Sequence, residues 1–396
     1  MADDAVIRLL DEIAGIGRDR ESGGYRRFAW NDADLRLREW FTGQATARSM
    51  HVTEDGNGNL FARRGKGRAV MVGSHLDSVP DGGAFDGPLG VVSAFAAADR
   101  IGPDVPVVIA AFSDEEGARF GVACAGSRLL TGSLDPERAL ALRDQDGITM
   151  AEAMRAAGRD PRAAGTDLSM LDDVAAFVEL HIEQGRYLVH TGQPIGVASS
   201  IWPHGRWRLE FTGRANHAGT TDMSDRQDPM TAYAATVLAA RQFGIEHSGR
   251  ATFGRLHVEP GGTNAVPARV RAWLDARAPD ETRLTGMVDA IVARAEQAAA
   301  HDDTGVVAQS ESASPLVEFD ADLRERLSGL LGAPVMDTAA GHDAGVLAAH
   351  VPTAMLFVRN PTGVSHAPDE HADDADCAAG VDALTRVIAE LSRRAD

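Results

Sequence analysis

Lysine is nearly missing from this chain of 396 residues: Lys66 is the sole example, set in Arg-Gly-Lys-Gly, a pattern that predicts an exposed turn. Its scarcity excludes Schiff-base catalysis, which needs a desolvated amine, and a phosphate-cradling loop, which needs Gly-Lys-Ser/Thr. Cysteine is almost as scarce. Cys124 and Cys377 lack a C-x-x-C partner, so two reduced thiols are expected rather than a disulfide framework or a zinc finger. No run approaches the ~18 uninterrupted apolar residues of a membrane-crossing helix. The opening Met-Ala-Asp-Asp has neither the basic region nor the hydrophobic stretch of a secretion signal, so a soluble, cytoplasmic protein is expected. Positive charge is in deficit, with 39 Lys+Arg against 58 Asp+Glu, a formal charge of −19 that opposes docking on phosphate backbones or anionic lipid. Nucleic acid and membrane surfaces are thereby excluded as partners. A serine nucleophile is disfavoured too, because Gly363-Val-Ser365-His-Ala departs from the G-x-S-x-G elbow at its last position.

What remains is a chain 44% apolar and long enough for two domains at roughly 150 residues each. Short apolar runs at Ala69 to Gly73, Pro106 to Phe112 and Ala175 to Leu180 read as buried strands, with a helix at Gly87 to Ala98 between the first two. Such alternation predicts an α/β fold with a sheet covered by helices on both faces. From about Trp207 the order changes to strand, helix, two strands, helix, strand (207–212, 229–243, 251–258, 268–277, 281–300, 306–312), the ferredoxin-like β-α-β-β-α-β unit. This unit reads as an insertion spanning 205–315, which divides the larger domain into 1–204 and 316–396. Helices near 320–331 and 342–349, a strand at 353–358 and a last helix from about Asp376 to Arg393 resume the first pattern.

Polar residues of ligand type cluster where strands of the larger domain end, the place where open α/β sheets bind ligands. The first cluster is Gly73-Ser-His75-Leu-Asp77, with Asp86 after a glycine-rich loop: one imidazole, a carboxylate able to bridge, and an acid behind the imidazole. A glycine turn with a surface pair of aspartates is the plain alternative. Ser113-Asp114-Glu115-Glu116-Gly117 is the second; adjacent carboxylates at a buried strand end are costly unless something positive sits there, although an acidic surface turn has the same spelling. Glu179-Leu-His181-Ile-Glu183-Gln184-Gly185 and Gly363-Val-Ser365-His366-Ala-Pro-Asp-Glu370 add two more imidazoles. A lone histidine is ordinarily a hydrogen-bonding core residue, but three at separate strand ends among carboxylates point to a pair of ions bridged by a carboxylate and a water. With no thiolate among the donors, the metal is zinc, manganese, cobalt or nickel. The single-zinc spellings H-E-x-x-H and H-x-x-E-H are absent.

These clusters, in this order and at these intervals, resemble the M20 family of binuclear metallohydrolases, and within it the N-carbamoyl-L-amino acid hydrolase and allantoate amidohydrolase branch. The likeness covers nearly the whole chain, through GSHLDSVPDGGAFDGPLGV (73–91), SDEEGARFG (113–121), ELHIEQG (179–185), ANHAGTT (215–221), GGTNAVPARV (261–270), GHDA (341–344) and GVSHAPDE (363–370). The resemblance implies a zinc-exopeptidase-like catalytic domain with an inserted lid and dimerisation domain, and a homodimer. It implies two divalent ions, one on His75, Asp86 and His181, the other on Asp86, Glu116 and His366. Glu115 would be the general base and Asp77 the acid orienting His75. His217 would polarise the scissile carbonyl, commonly from the partner subunit. Asn264 and Arg277 would grip the substrate carboxylate, with Gln184 and His342 close by; an arginine fork suits a carboxylate because it donates two parallel bonds.

The implied reaction is hydrolysis of a ureido or N-carbamoyl C–N bond on a small carboxylate, allantoate or an N-carbamoyl-L-amino acid, with release of ammonia and carbon dioxide. Arg359-Asn360-Pro-Thr-Gly, ahead of His366, reads either as a second polar grip for a ureido tail, which would favour allantoate, or as a solvated loop. Three positions depart from the branch: Asp222 and Arg186 stand where proline is common, and Val189 where glutamate is usual. Two alternatives stay open at this stage, an aminopeptidase or deacylase with the same metal chemistry, and a binding protein without turnover.

Overall fold

The continuous apolar runs become strands buried from end to end, as a sheet covered on both faces requires. The computed structural model describes residues 5–393; the opening Met-Ala-Asp-Asp lies outside them. Two compact units form, one ending at Ser199 and resuming at Glu318, the other Ser200–Val317.

The first unit opens with helices Ala5–Ile13 and Asp32–Ala47, followed by β1 (His51–Glu54), β2 (Leu60–Arg64), β3 (Ala69–His75), the helix Pro88–Ala98, β4 (Val107–Phe112), short helices, β5 (Val174–Ile182) and β6 (Ile195–Ile201). The strand expected to stop at Gly73 thus runs on to His75. The helix Pro88–Ala98 starts with proline, whose missing N–H is no loss in a first turn, and all its residues are buried. Phe95 on this helix meets the rings of Phe41 and Trp40 edge-on, at 5.2 and 6.0 Å.

In the second unit β7 (His204–Thr212), β8 (Asn216–His217), the helix Pro229–Glu246, β9 (Arg250–Glu259), β10 (Ala265–Val266), β11 (Arg269–Arg277), the helix Glu281–His301 and β12 (Gly305–Ser314) follow in turn. The four long strands form an antiparallel sheet in the order β12-β7-β11-β9, and β8 pairs with β10 in a separate ribbon. Alternate residues Leu209, Phe211, Val270 and Leu274 of the sheet bury one face in a core with Met287 and Ile291 of the second helix.

The chain returns through β13 (Val317–Glu318), the helix Ala321–Leu331, β14 (Val335–Thr338), the helix Asp343–Leu347, β15 (Thr353–Val358) and the helix Asp374–Ser392. The backbone N–H of Phe319 donates to Ser199 at 3.1 Å, so the chain leaves and re-enters the first unit at one point. The large sheet has nine strands in the order β1-β2-β4-β3-β5-β15-β6-β13, with β14 beside β6; β4, β3, β5 and β15 are mutually parallel, and β2 and β6 flank them antiparallel. The carboxyl ends of those four parallel strands therefore lie at one edge. Among the described residues no helix is long and apolar enough to cross a membrane.

Candidate functional site

His75 ends β3 and His181 sits one residue from the end of β5, both with no exposed surface. The two rings stack with centroids 5.8 Å apart. His75 Nδ1 donates to the backbone carbonyl of Asp77 at 3.1 Å, and His181 Nδ1 donates to that of Ile182 at 2.8 Å. A carbonyl only accepts, so each neutral ring carries its proton on Nδ1 and presents a bare Nε2. Both bare nitrogens face one oxygen, Asp86 Oδ1, at 3.5 and 3.1 Å, and neither has a hydrogen-bond partner among the described residues. Gly87 permits the approach: at φ +83° it holds a left-handed turn, and a Cβ there would stand 2.4 Å from the His75 ring.

Asp86 turns its other oxygen the opposite way. Oδ2 lies 3.4 Å from His366 Nε2 and accepts from Gln184 Nε2 at 2.9 Å and Ser365 Oγ at 3.0 Å. Glu116 Oε1 is 3.5 Å from the same His366 nitrogen. Two donor sets result, His75–Asp86–His181 and Asp86–Glu116–His366, each with its ligand atoms within 4.8 Å of one another, and Asp86 belongs to both. Imidazole lone pairs converging on a carboxylate oxygen repel unless a cation or protons lie between them, so the donors fit divalent ions. Electrostatics tell the same story. Burial alone would lower His75, yet Glu115, Asp77 and Asp86 hold it well above the usual imidazole range. Burial alone would raise Asp86, yet His181 and His75 hold it well below the carboxylate range.

Glu115 stays outside both sets. It is buried, with Oε2 3.8 Å from His75 Nε2, Oε1 3.6 Å from Cys124 Sγ and 4.0 Å from His342 Nδ1. Burial pushes its carboxyl well above the usual range, with His75 opposing and Glu116 adding to the rise. Asp77 lies behind these groups; its nearest carboxylate oxygen is 3.5 Å from His75 Nδ1, while its two oxygens accept the backbone N–H groups of Glu115 and Glu116. The expected role of orienting His75 thus falls first to the Asp77 carbonyl, and the carboxylate braces the two glutamates. His342 packs on His181 at 4.5 Å; burial and the neighbouring His181 push it well below the imidazole range, and its Nε2 has no partner among the described residues.

The three remaining predicted residues lie in the second unit. His217 is exposed on the β8–β10 ribbon, and Asn264 adjoins it, its carbonyl accepting from Ala218 at 2.9 Å. Gly219 N–H donates to His217 Nδ1 at 3.1 Å, which leaves the neutral ring's proton on Nε2. Arg226 braces this turn through the carbonyls of Ala218 and Thr221. Arg277 is not brought to this pair: the ribbon adjoins the Arg269 end of β11, whereas Arg277 closes the far end, roughly 26 Å away at about 3.3 Å per residue. Its guanidinium donates to Asp275 at 2.8 and 3.2 Å.

One expectation is corrected. Arg359 forms a two-pronged pair with Asp376 at 2.8 and 2.9 Å, and the buried Asn360 spends its amide on its own turn, accepting from Thr362 and Gly363 and donating to Val364. These pairings favour a structural role for the two residues over a substrate grip. Buried residues not singled out from sequence include Glu179, which accepts from Ser74 and from the N–H of Ala344, and Asp343, which accepts from Ser127. Glu179 lies two residues before His181 on β5, hence on the same strand face, a period-two signal that could have found it.

Residues 71–390 match the family described as Peptidase family M20/M25/M40. The chain is 37% identical to the N-carbamoyl-L-amino acid amidohydrolase of Geobacillus stearothermophilus, over 97% of each chain. It is 31% identical to the allantoate amidohydrolase of Escherichia coli K12, over 98% of each. A solved amidase of the hydantoinase/carbamoylase family from Burkholderia vietnamiensis superposes with a TM-score of 0.88 at 31% identity, covering 100% of this chain and 98% of its own.

Proposed function

The chain belongs to the peptidase family M20/M25/M40, and from that membership we propose that it is a metal-dependent amidohydrolase cleaving the C–N bond of a ureido or N-carbamoyl group on a small carboxylate, with release of ammonia and carbon dioxide. The observation carrying this reading is the bare Nε2 atoms of His75 and His181 facing one oxygen of Asp86 while the other oxygen faces His366. His75, Asp86 and His181 hold one ion, and Asp86, Glu116 and His366 a second. Zinc suits these nitrogen and oxygen donors, as do manganese, cobalt and nickel. Ions there supply Lewis acidity toward the scissile carbonyl and make a water acidic near neutral pH.

Glu115 takes the proton of the attacking water and returns it to the leaving nitrogen as the C–N bond breaks. Its buried, raised carboxyl and its place outside both donor sets support that role. Asp77 keeps Glu115 and Glu116 at their posts. His217 donates from Nε2 to the carbonyl oxygen as negative charge develops there, the proton position that the Gly219 bond favours. Asn264 and Arg277 hold the substrate carboxylate, with Gln184 and His342 lining the same site. The length of β11 between Arg277 and the His217–Asn264 pair supports their reaching one substrate from different subunits of a homodimer, Asn264 meeting the same carboxylate as Arg277 and His217 acting in the partner subunit's site. Two buried free thiols suit a cytoplasmic home.

With Arg359 paired to Asp376 and Asn360 spent on its own turn, the argument that favoured allantoate weakens, and N-carbamoyl-L-amino acids stand first. The test is ammonia release from chelator-stripped protein restored with zinc, manganese, cobalt or nickel, offered N-carbamoyl-L-methionine, allantoate and N-carbamoyl-β-alanine beside a dipeptide. Ammonia from N-carbamoyl-L-methionine is expected; ammonia from none of the three would defeat the reading.

A further inference from the structure

Glu370 follows His366 by four residues on the loop after β15 and is buried, yet it belongs to neither donor set. Its Oε1 accepts the backbone N–H of both Phe85 and Asp86, each at 2.9 Å, across most of the chain's length. Its Oε2 lies 3.4 Å from Ser365 Oγ, and that hydroxyl, with a single proton to give, is nearer Asp86 Oδ2 at 3.0 Å. Gly83 completes the fit, since a Cβ there would stand 2.4 Å from Glu370 Cβ and Oε1. A buried carboxylate is costly unless donors meet it, and these two N–H groups do so.

The donor sets are rooted differently. His75 and His181 are held by buried strands and stay wholly inside. His366 lies on a loop in the left-handed region, at φ +57°, with its side chain 48% exposed. The set Asp86–Glu116–His366 therefore depends on how two loops meet, and Glu370 with Ser365 is where they are tied. We infer that Glu370 is a positioning residue: it fixes the Asp86 loop against the His366 loop and so tunes the Asp86–Glu116–His366 set more than the His75–Asp86–His181 set. The inference rests on the two-ion reading above.

Chelator-stripped protein is titrated with Co2+, following visible absorption and heat, and wild type takes up two equivalents. In Glu370→Ala one equivalent weakens by about 10- to 100-fold while the other keeps its affinity. Glu370→Gln retains an oxygen able to accept both N–H groups and restores near wild-type binding. Gly83→Ala displaces the same carboxylate from the opposite side and copies Glu370→Ala; it decides the matter if Glu370→Ala fails to fold. Two unchanged equivalents in Glu370→Ala and Gly83→Ala, equal weakening of both equivalents, or a Glu370→Gln as weak as Glu370→Ala each overturn the inference alone. A wild type binding fewer than two ions overturns the two-ion reading and this inference with it.

Discussion

Asp77 and Glu115 are joined through the backbone: Asp77 Oδ1 accepts the N–H of Glu115 at 3.1 Å while its Oδ2 accepts that of Glu116 at the same distance. One carboxylate thus sets the height of both glutamates above the end of β4. Asp77→Asn keeps the shape but turns one acceptor into a donor facing an N–H. Its kcat should fall by about 10- to 100-fold with little change in KM and an unaltered circular dichroism spectrum. Steady-state kinetics decide it, and an unchanged kcat would remove Asp77 from this role.

Glu115→Gln removes the proposed base and leaves both donor sets whole. Metal content by mass spectrometry should match wild type, and turnover should drop by about 10²- to 10⁴-fold. A variant that stays active assigns the proton transfer elsewhere.

Subunit mixing tests whether the chain forms the proposed homodimer with His217 acting across it. Glu115→Gln and His217→Ala homodimers are each expected to be inactive, yet random exchange pairs one intact metal site with one intact His217, recovering about a quarter of the wild-type rate. If His217 serves its own subunit, the mixture stays as inactive as its parts.

Cys377 reports the pH response of the fold. Burial and the neighbouring Asp374 and Asp376 push its thiol up to about 12 from an ordinary 9.0. The native thiol should therefore ignore aromatic disulfide reagents at pH 8 and react fully in denaturant. The unfolded chain releases this proton first, so the stabilisation is complete below pH 9 and declines as pH rises toward 12. Alkaline urea melts of Cys377→Ala against wild type measure that decline; equal slopes would contradict it.

The parallel strands were legible because each is a continuous apolar run, and the donor histidines because His75 and His181 close such runs while His366 follows one after a short loop. The β-α-β-β-α-β unit was legible from its alternating strands; the structure lengthens three of them, while β11 begins one residue later than expected. Helices Ala5–Ile13 and Asp32–Ala47 and the antiparallel flanks β1, β2 and β6 were not read. The second of these helices carries Gly43 and polar residues among its apolar ones, and β1 is exposed, so neither has a clean period. The ligand types were legible one residue at a time. What was hidden is pairing at long range: Glu370 with Phe85 and Asp86, Asp77 with two backbone N–H groups, Arg359 with Asp376. Arg359 misled because an arginine before a ligand loop spells a grip and a brace alike.

The hydrogen bond from Phe319 to Ser199 marks a seam that could be cut and resewn. All five proposed metal donors are encoded outside the excursion it bounds, whereas His217, Asn264 and Arg277 are encoded within it. Heredity can therefore reshape the segment that carries His217, Asn264 and Arg277 without touching the codons of the five donors, and the two parts of the chain are free to change at different rates.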